Sequence, residues 1–304
     1  MKKLLFVFFG LLSLSLTAQE LFVATYNIRN KNSWDSINGN VWQKRYPVIC
    51  GQINFEQPAV FGAQEVLNNQ LNDMLSLLDG YGYIGVGRDD GDKEGEYSAI
   101  FYKKSKVEKL DEGWFWLNTT PDKPVKGWDA ACVRICTWGK FKDKSSGKNF
   151  YFFTLHMDHV GVVARRESAK LIVQKVKEIA AGQPVIITGD FNVDQNNEIY
   201  GIFTDSGILK DSYEDARLRF AENGTFNSFN PELRTYSRID HVFVSPEIYV
   251  DNYAVMTNCY WVEGVDTAKE SVKGHDAPQE IDFKVYSRRL PSDHYPVFVR
   301  LKLP

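Results

Sequence analysis

Apolar residues along this chain fall into short runs that alternate with stretches of helical spacing, and each run ends on a polar residue. Leu21 to Ile28 is apolar apart from Thr25 and Asn27 and predicts a strand that delivers Asn27 at its end. Arg29 to Asn40 is polar and rich in Asn, which predicts a loop. Between Val41 and Phe55 the residues Val41, Trp42, Tyr46, Ile49 and Ile53 recur at helical spacing. Pro58 to Gln64 reads as a strand running into Glu65, and Leu67 to Leu78 as a helix stopped by Gly80. From Tyr81 to about Phe153 the texture changes to short β-branched and aromatic strands, at 83–86, 97–102, 115–117, 132–141 and 150–155. Turn-rich loops at 89–95 and 118–128 separate them. Helical spacing returns over 163–181, with Lys170, Lys175 and Lys177 opposite Leu171, Ile172, Val176 and Ile179, and Gly182 closes it. A buried strand then leads into Thr188-Gly189-Asp190-Phe191-Asn192. After a short helix at 198–203 and a polar stretch to Leu233 come strands at 239–244, 252–256 and 297–301. Helices placed after several strands, with antiparallel-looking strands between them, predict an α/β fold of two packed sheets flanked by helices. No linker and no repeat divides the chain.

Composition adds an address. Lys2 and Lys3 precede an apolar run from Leu4 to Leu12 that ends in Thr17 and Ala18, the pattern of a signal peptide too short to span a bilayer. Residues 1–18 are therefore expected to be removed after Ala18, leaving residues 19–304 as one catalytic domain in the periplasm or secreted, a monomer with no transmembrane segment. Their removal lowers Lys+Arg from 36 to 34 against 39 acids, a formal net charge of −5. That balance argues against a basic footprint for gripping long nucleic acid. The four cysteines, Cys50, Cys132, Cys136 and Cys259, have no zinc spacing. An oxidising compartment permits disulfides, but Cys132 and Cys136 on one strand would stand roughly 13 Å apart.

The chemistry concentrates where strands end. Asn27, Glu65, His156 with Asp158, Asp190 with Asn192, Asp240 with His241, and Asp293 with His294 all follow or interrupt apolar stretches. An acceptor-only carboxylate and an amide two residues apart, as in Asp190 and Asn192, can aim a water and steady an anion, although an Asx turn capping the next helix explains the pair as well. Six such strand ends in one chain favour a shared site.

In chain order, Thr25-Tyr26-Asn27, Gln64-Glu65, His156-Met157-Asp158-His159, Gly189-Asp190-Phe191-Asn192, Ile239-Asp240-His241 and Ser292-Asp293-His294 resemble the motifs of the endonuclease/exonuclease/phosphatase superfamily. The resemblance runs from residue 21 to the C-terminus; it departs from the family pattern at Leu155, where a Thr usually precedes the His. It implies a four-layer αββα sandwich with Mg²⁺ or Mn²⁺ at the mouth between two mixed sheets. Glu65 is then the main metal ligand, with Asn27 and Asp293 contributing. Asp190 orients or deprotonates the attacking water and Asn192 holds it or the phosphate. His294, its tautomer set by Asp240, and His156 donate to phosphate oxygens. Such residues suit phosphoester hydrolysis, which needs a hard cation, a positioned water and donors for developing charge.

The substrate is less legible. Trp128 and Arg134, with Trp114 and Trp116 before them, form an aromatic-plus-Arg set able to stack on a ring while reading a phosphate. Trp116 and Trp138 also read as core residues. Tyr97 and Asp158 are further candidates for substrate contact, and Arg29, Arg134, Arg165 and Arg166 for a locally basic cleft. The leading expectation is an exported hydrolase of a small or lipid-linked phosphoester, mono- or diester. The alternatives are a secreted endo- or exonuclease on DNA or RNA and a non-catalytic carbohydrate- or ligand-binding module on the same fold.

Overall fold

Each strand of the two central sheets turns one set of side chains towards the facing sheet and the other towards a helix, so successive residues of one strand serve different cores. The computed structural model describes residues 20–263, 271–272, 278–281 and 283–304. The expected signal peptide lies outside the described residues. In chain order the elements are β1 (Leu21–Asn27), α1 (Ser33–Ile37), α2 (Trp42–Glu56), β2 (Val60–Val66), α3 (Asn68–Leu77), β3 (Tyr81–Ile84), β4 (Tyr97–Lys103) and β5 (Val107–Trp116). There follow β6 (Ile135–Asp143), β7 (Asn149–His156), α4 (Val162–Ala180), β8 (Val185–Asp190), α5 (Glu198–Thr204), β9 (Lys210–Asp211), α6 (Ser212–Asp215) and β10 (Leu218–Phe220). The chain ends with β11 (Asp240–Val244), β12 (Tyr249–Val255), β13 (Tyr260–Glu263), β14 (Ser271–Val272), β15 (Phe283–Lys284), β16 (Tyr286–Arg289) and β17 (Val297–Lys302).

A seven-stranded sheet, β10-β12-β17-β1-β2-β4-β3, faces a six-stranded sheet, β5-β6-β7-β8-β11-β9. Both are mixed: β1 and β2 run parallel, as do β7 and β8, while β1 with β17 and β8 with β11 are antiparallel. Between the sheets lie Val23, Ile100, Phe141, Phe150, Phe152, Ile186, Val242 and Val299. On the outer face of the first sheet, Tyr26, Phe61 and Ala63 pack with Trp42, Ile49 and Ile53 of α2 and Met74 of α3. On the outer face of the second, Phe153, Ile187 and Phe243 pack with Ile172 and Val176 of α4 and Phe203 of α5. The four-layer αββα sandwich is thus formed as expected. Among the described residues no helix is long and apolar enough to cross a membrane.

At the site end the interlayer becomes polar and thin. Gln64 Nε2 donates to Thr154 Oγ1 at 2.9 Å, joining the sheets through their side chains. Gly62 permits this approach, because a Cβ there would overlap the hydroxyls of Thr154 and Thr188.

Several elements differ from the expectation. The loop at 29–40 contains α1, nucleated by the Asn32 side chain accepting from Asp35 N at 2.8 Å rather than by any apolar period. Strand β6 starts at Ile135, not Cys132, because the Asp158 carboxylate takes the backbone N–H groups of Ala131 and Cys132 and holds them off the sheet. Cys132 and Cys136 therefore do not share a strand, and all four cysteines are free. Strand β5 begins well before Phe115, and its first residues after Val107 are exposed, which erases the alternation that marks a half-buried strand. The polar stretch to Leu233 holds β9, α6 and β10, too short to leave a period.

Candidate active site

The site forms where β1, β2, β7, β8, β11 and the segment before β17 end together. A β-bulge between Ala63 and Val66 places Glu65 in the left-handed region, φ 61°, and turns its carboxylate into the cleft. Arg29 (φ 58°) and Asn192 (φ 51°) share that conformation. Left-handed backbone at non-glycine residues is costly, and at these three positions it brings side chains to the cleft.

Strand β8 ends in Gly189-Asp190, and Gly189 is required because its φ is 153° and a Cβ would overlap the Leu155 carbonyl. The two oxygens of Asp190 then divide their work. Oδ1 accepts from Asn192 N at 2.9 Å, closing an Asx turn. Oδ2 faces the cleft, 3.0 Å from Asn27 Nδ2, 3.4 Å from His156 Nε2 and 3.7 Å from His294 Nε2. The turn and the chemistry coexist, and the next helix is capped instead by Asn197. Phe191 anchors this turn between the rings of Phe203, Phe243 and His241. Asn192 Nδ2 donates to the Met157 carbonyl at 2.9 Å, which orients its amide at the cleft wall.

Beside it, His294 Nδ1 pairs with Asp240 Oδ2 at 2.8 Å. Burial alone disfavours a charged imidazole, but the Asp240 and Asp190 carboxylates outweigh it and hold His294 up at about 10, an imidazolium at neutral pH. His156 goes the other way: burial, then the charges of Arg134, Arg88 and His294, push it well below its ordinary value, so it is neutral. Burial also raises the Asp190 carboxyl, against the pull of His294.

Asn27 Nδ2 also donates to Glu65 Oε1 at 3.1 Å, while Glu65 Oε2 accepts from Asn30 N at 3.0 Å. Glu65 and Asp293 share one guanidinium nitrogen, Arg29 Nη1, at 3.9 and 3.5 Å, and Arg29 is itself bound to Asp35. Three carboxylates around one guanidinium leave negative charge uncompensated, and carboxylate oxygens are hard, so Glu65 and Asp293 fit a divalent cation; Asn27, expected as a further ligand, turns Nδ2 to Glu65 and has its Oδ1 on Arg29 N. Asp190, Asp240 and His294 also lie within 4.8 Å of one another. There, however, His294 Nδ1 and Asp240 Oδ2 are already committed to each other at 2.8 Å.

The cleft has a volume of about 420 Å³ and takes in Asn192, Glu65, Asp190, His156, His294 and Asp293 from the expected set, with Arg134 on its wall. Asn27 and Asp240 stand behind this wall, fully buried. A groove of similar size around Ala181, Gly182 and Pro246 holds none of these residues.

Three expected substrate contacts are corrected. Asp158 is buried, and its oxygens accept from the N–H groups of Ala131, Cys132, Val160 and Gly161 and from Arg134 Nε, so it ties two loops together and has nothing left for a substrate. Tyr97 is buried in the outer core with its hydroxyl on the Asp92 carbonyl; its neighbour Glu96 lines the cleft instead. Trp128 lies outside the cleft lining, and the adjacent Asp129 caps α4 through Val163 N and Ala164 N. Of the four arginines expected to make the cleft basic, Arg29 and Arg134 line it, whereas Arg165 binds the Asp158 carbonyl and Arg166 pairs with Glu198. His241 is structural, its Nε2 on the Val193 carbonyl at 3.0 Å.

The sequence reading missed Arg88 and Phe226, which also line the cleft. Arg88 sits on a turn-rich loop and is ion-paired to Glu96 at 2.5 Å. Phe226 lies in the polar stretch, edge-on to His294 at 5.0 Å between centroids. Neither has a periodic neighbour that could have flagged it.

A sequence model described as the endonuclease/exonuclease/phosphatase family matches residues 24–294. Among solved structures, a mannosyl-6-phosphatase of Bacteroides thetaiotaomicron VPI-5482 is 49% identical, with 92% of this chain and 99% of that one covered at a TM-score of 0.85. An endonuclease/exonuclease/phosphatase family protein of Bacteroides thetaiotaomicron is also 49% identical, covering 93% and 98% with a TM-score of 0.86. A third structure, from Bacteroides vulgatus, is 39% identical over 94% and 100% of the two chains, with a TM-score of 0.80.

Proposed function

The chain belongs to the endonuclease/exonuclease/phosphatase family, and from that premise we propose that it is an exported, divalent-metal-dependent phosphoesterase that releases phosphate from a phosphorylated sugar. One observation carries the reading: a carboxylate corner suited to a cation, a cleft-facing Asp190 oxygen and the Nε2 of His294 converge in one cleft. The sugar is supported by the 49% identity to a mannosyl-6-phosphatase across nearly the whole of both chains. A cleft of about 420 Å³ is of the size that takes a small molecule.

Glu65 and Asp293 would hold Mg²⁺ or Mn²⁺, with Asn27 Nδ2 bracing Glu65 Oε1. When bound, the cation supplies charge neutralisation at the phosphate and a more acidic water. Asp190 Oδ2 takes the proton of the attacking water, while Asn192, fixed to the Met157 carbonyl, orients it. His294 donates from Nε2 to a phosphate oxygen, its other nitrogen being committed to Asp240. Neutral His156 donates from its own Nε2, the nitrogen that faces Asp190.

Purified residues 19–304 should release phosphate from mannose 6-phosphate and related sugar phosphates with added Mg²⁺ or Mn²⁺, and stop when chelator is added. Colorimetric phosphate release run beside cleavage of single- and double-stranded DNA and RNA is the check. Nucleic acid turned over faster than every sugar phosphate would reverse the substrate assignment. Export rests on Lys2, Lys3 and the run Leu4 to Leu12. Mass spectrometry of the protein recovered from expressing bacteria should find an N-terminus at Gln19; an N-terminus at Met1 on all of it would reject export.

A further inference from the structure

We propose that Arg134 makes this cleft select phosphomonoesters over phosphodiesters, by presenting a free guanidinium N–H to the additional anionic oxygen that only a monoester carries. The proposal rests on the phosphoesterase reading above and adds the residue that sets the ester type.

Arg134 has little exposure, 4%, yet lines the cleft with His156, Asp190 and His294. Its Nε lies 3.2 Å from Asp158 Oδ2, and its Nη2 lies 3.0 Å from His159 Nδ1. Its Nη1 is buried and has no hydrogen-bond partner. A guanidinium N–H left unpaired in a buried wall is costly, and a partner arriving with the substrate removes that cost.

The charge at this corner also points to an anion. Asp158 would be the natural counterion, but four backbone N–H groups already share its carboxylate. Burial works against that carboxylate's charge, yet those amides and Arg134 hold its pKa well below the usual range. Asp158 thus engages only the Nε edge of the guanidinium, at 3.2 Å, and Nη1 keeps unpaired N–H groups. Arg88 pairs with Glu96 at 2.5 Å and Arg29 with Asp35 at 2.7 Å, both closer than the 3.2 Å between Arg134 and Asp158, although Arg88 Nε has no hydrogen-bond partner either. Cys132, Asp158 and His159 lie within 4.8 Å of one another, a spacing a metal could use. Arg134 already occupies that spacing, with Nε at Asp158 Oδ2 and Nη2 at His159 Nδ1, so a second cation has no place there.

A phosphomonoester approaches a dianion at neutral pH, its second pKa being about 6. His294 and His156 both turn Nε2 towards Asp190 Oδ2, at 3.7 and 3.4 Å, and Arg134 adds a permanently charged donor on the wall of the same cleft. In a diester the corresponding oxygen bears a carbon, which carries no charge, is a poor acceptor and has bulk that meets the buried wall. The two loops that Asp158 pins hold Arg134 in place before substrate arrives, so little ordering is needed at binding.

The test compares kcat/KM for 4-nitrophenyl phosphate and bis(4-nitrophenyl) phosphate in the parent, Arg134→Gln and Arg134→Lys, with the inhibition constant of inorganic phosphate. In Arg134→Gln the monoester-to-diester ratio should fall on the order of 30-fold, and phosphate should inhibit about 30-fold more weakly, the scale of one charge-assisted hydrogen bond. Arg134→Lys, which keeps the charge and loses the fork, should lie between; should Arg134→Gln fail to fold, the Lys variant carries the same comparison. An unchanged ratio, or equal losses on both esters, would overturn the proposal. A parent inactive on both esters would sink the functional reading instead. Calorimetric binding of inorganic phosphate to the same proteins then judges Arg134 alone: equal affinity in parent and variants rejects it, and loss of binding in Arg134→Gln supports it.

Discussion

Asp190→Asn should lower kcat by roughly 10³-fold, within the range of removing a positioned general base, and leave the fold intact. The amide has the same shape, so an oxygen at Oδ1 can still accept from Asn192 N and keep the turn. Its nitrogen then meets Asn27 Nδ2, where the parent has an acceptor at 3.0 Å, and two donors face each other. Flipping the amide restores that contact and loses the turn, so one of the two interactions is lost either way. Neither orientation can take a proton from water. Stability should change little, because burial already disfavours the Asp190 charge and a neutral side chain removes that penalty. Steady-state kcat on a sugar phosphate, read with the melting temperature, checks both halves. A kcat within tenfold of the parent would falsify the assignment of Asp190 to the water.

His294→Ala should be equally damaging to the rate and worse for the fold. Removing one preorganised donor to developing charge costs roughly 10²–10³ in kcat. The same change strips Asp240 of its partner at 2.8 Å, and Asp240 is fully buried with its other oxygen already unpartnered. Breaking a buried ion pair from one side costs about 3–5 kcal/mol, so a large fall in the urea midpoint should accompany the loss of rate. His294→Ala combined with Asp240→Ala should recover most of that stability and none of the activity. If the double variant regained activity with its stability, His294 would be only structural. Asp190 and His294 thus differ in a measurable way: one variant separates rate from stability, the other couples them.

The loops at the rim of the cleft are held by specific side chains. Buried Trp116 donates from Nε1 to the Arg88 carbonyl at 2.7 Å and so positions the loop that carries Arg88. Asn118 holds the following loop by donating to the carbonyls of Lys123 and Val125. Trp116, which also read as a core residue, thus holds the wall beside Arg88 from within.

What the sequence determined by itself is whatever depends on near neighbours. The apolar periods of α2 and α4 and the runs of β1 and β8 mark these elements because hydrophobic burial follows the helical and strand repeats directly. The residue types at the strand ends carried the class of chemistry, since acceptor carboxylates, amides and histidines are what phosphoester hydrolysis requires. Only the tertiary structure decided which of them meet in one cleft. Asn27 and Asp190 meet across 163 residues, and Asp240 and His294 across 54. No local pattern encodes that His294 is charged and His156 neutral, because both states come from burial and from charges brought near by folding. Asp158 shows the same limit in reverse: it sits two residues beyond His156 in a motif, yet its lone pairs are taken by amides of a loop 26–27 residues earlier. A residue's type sets what it can donate or accept, and the folded chain sets which partner uses it.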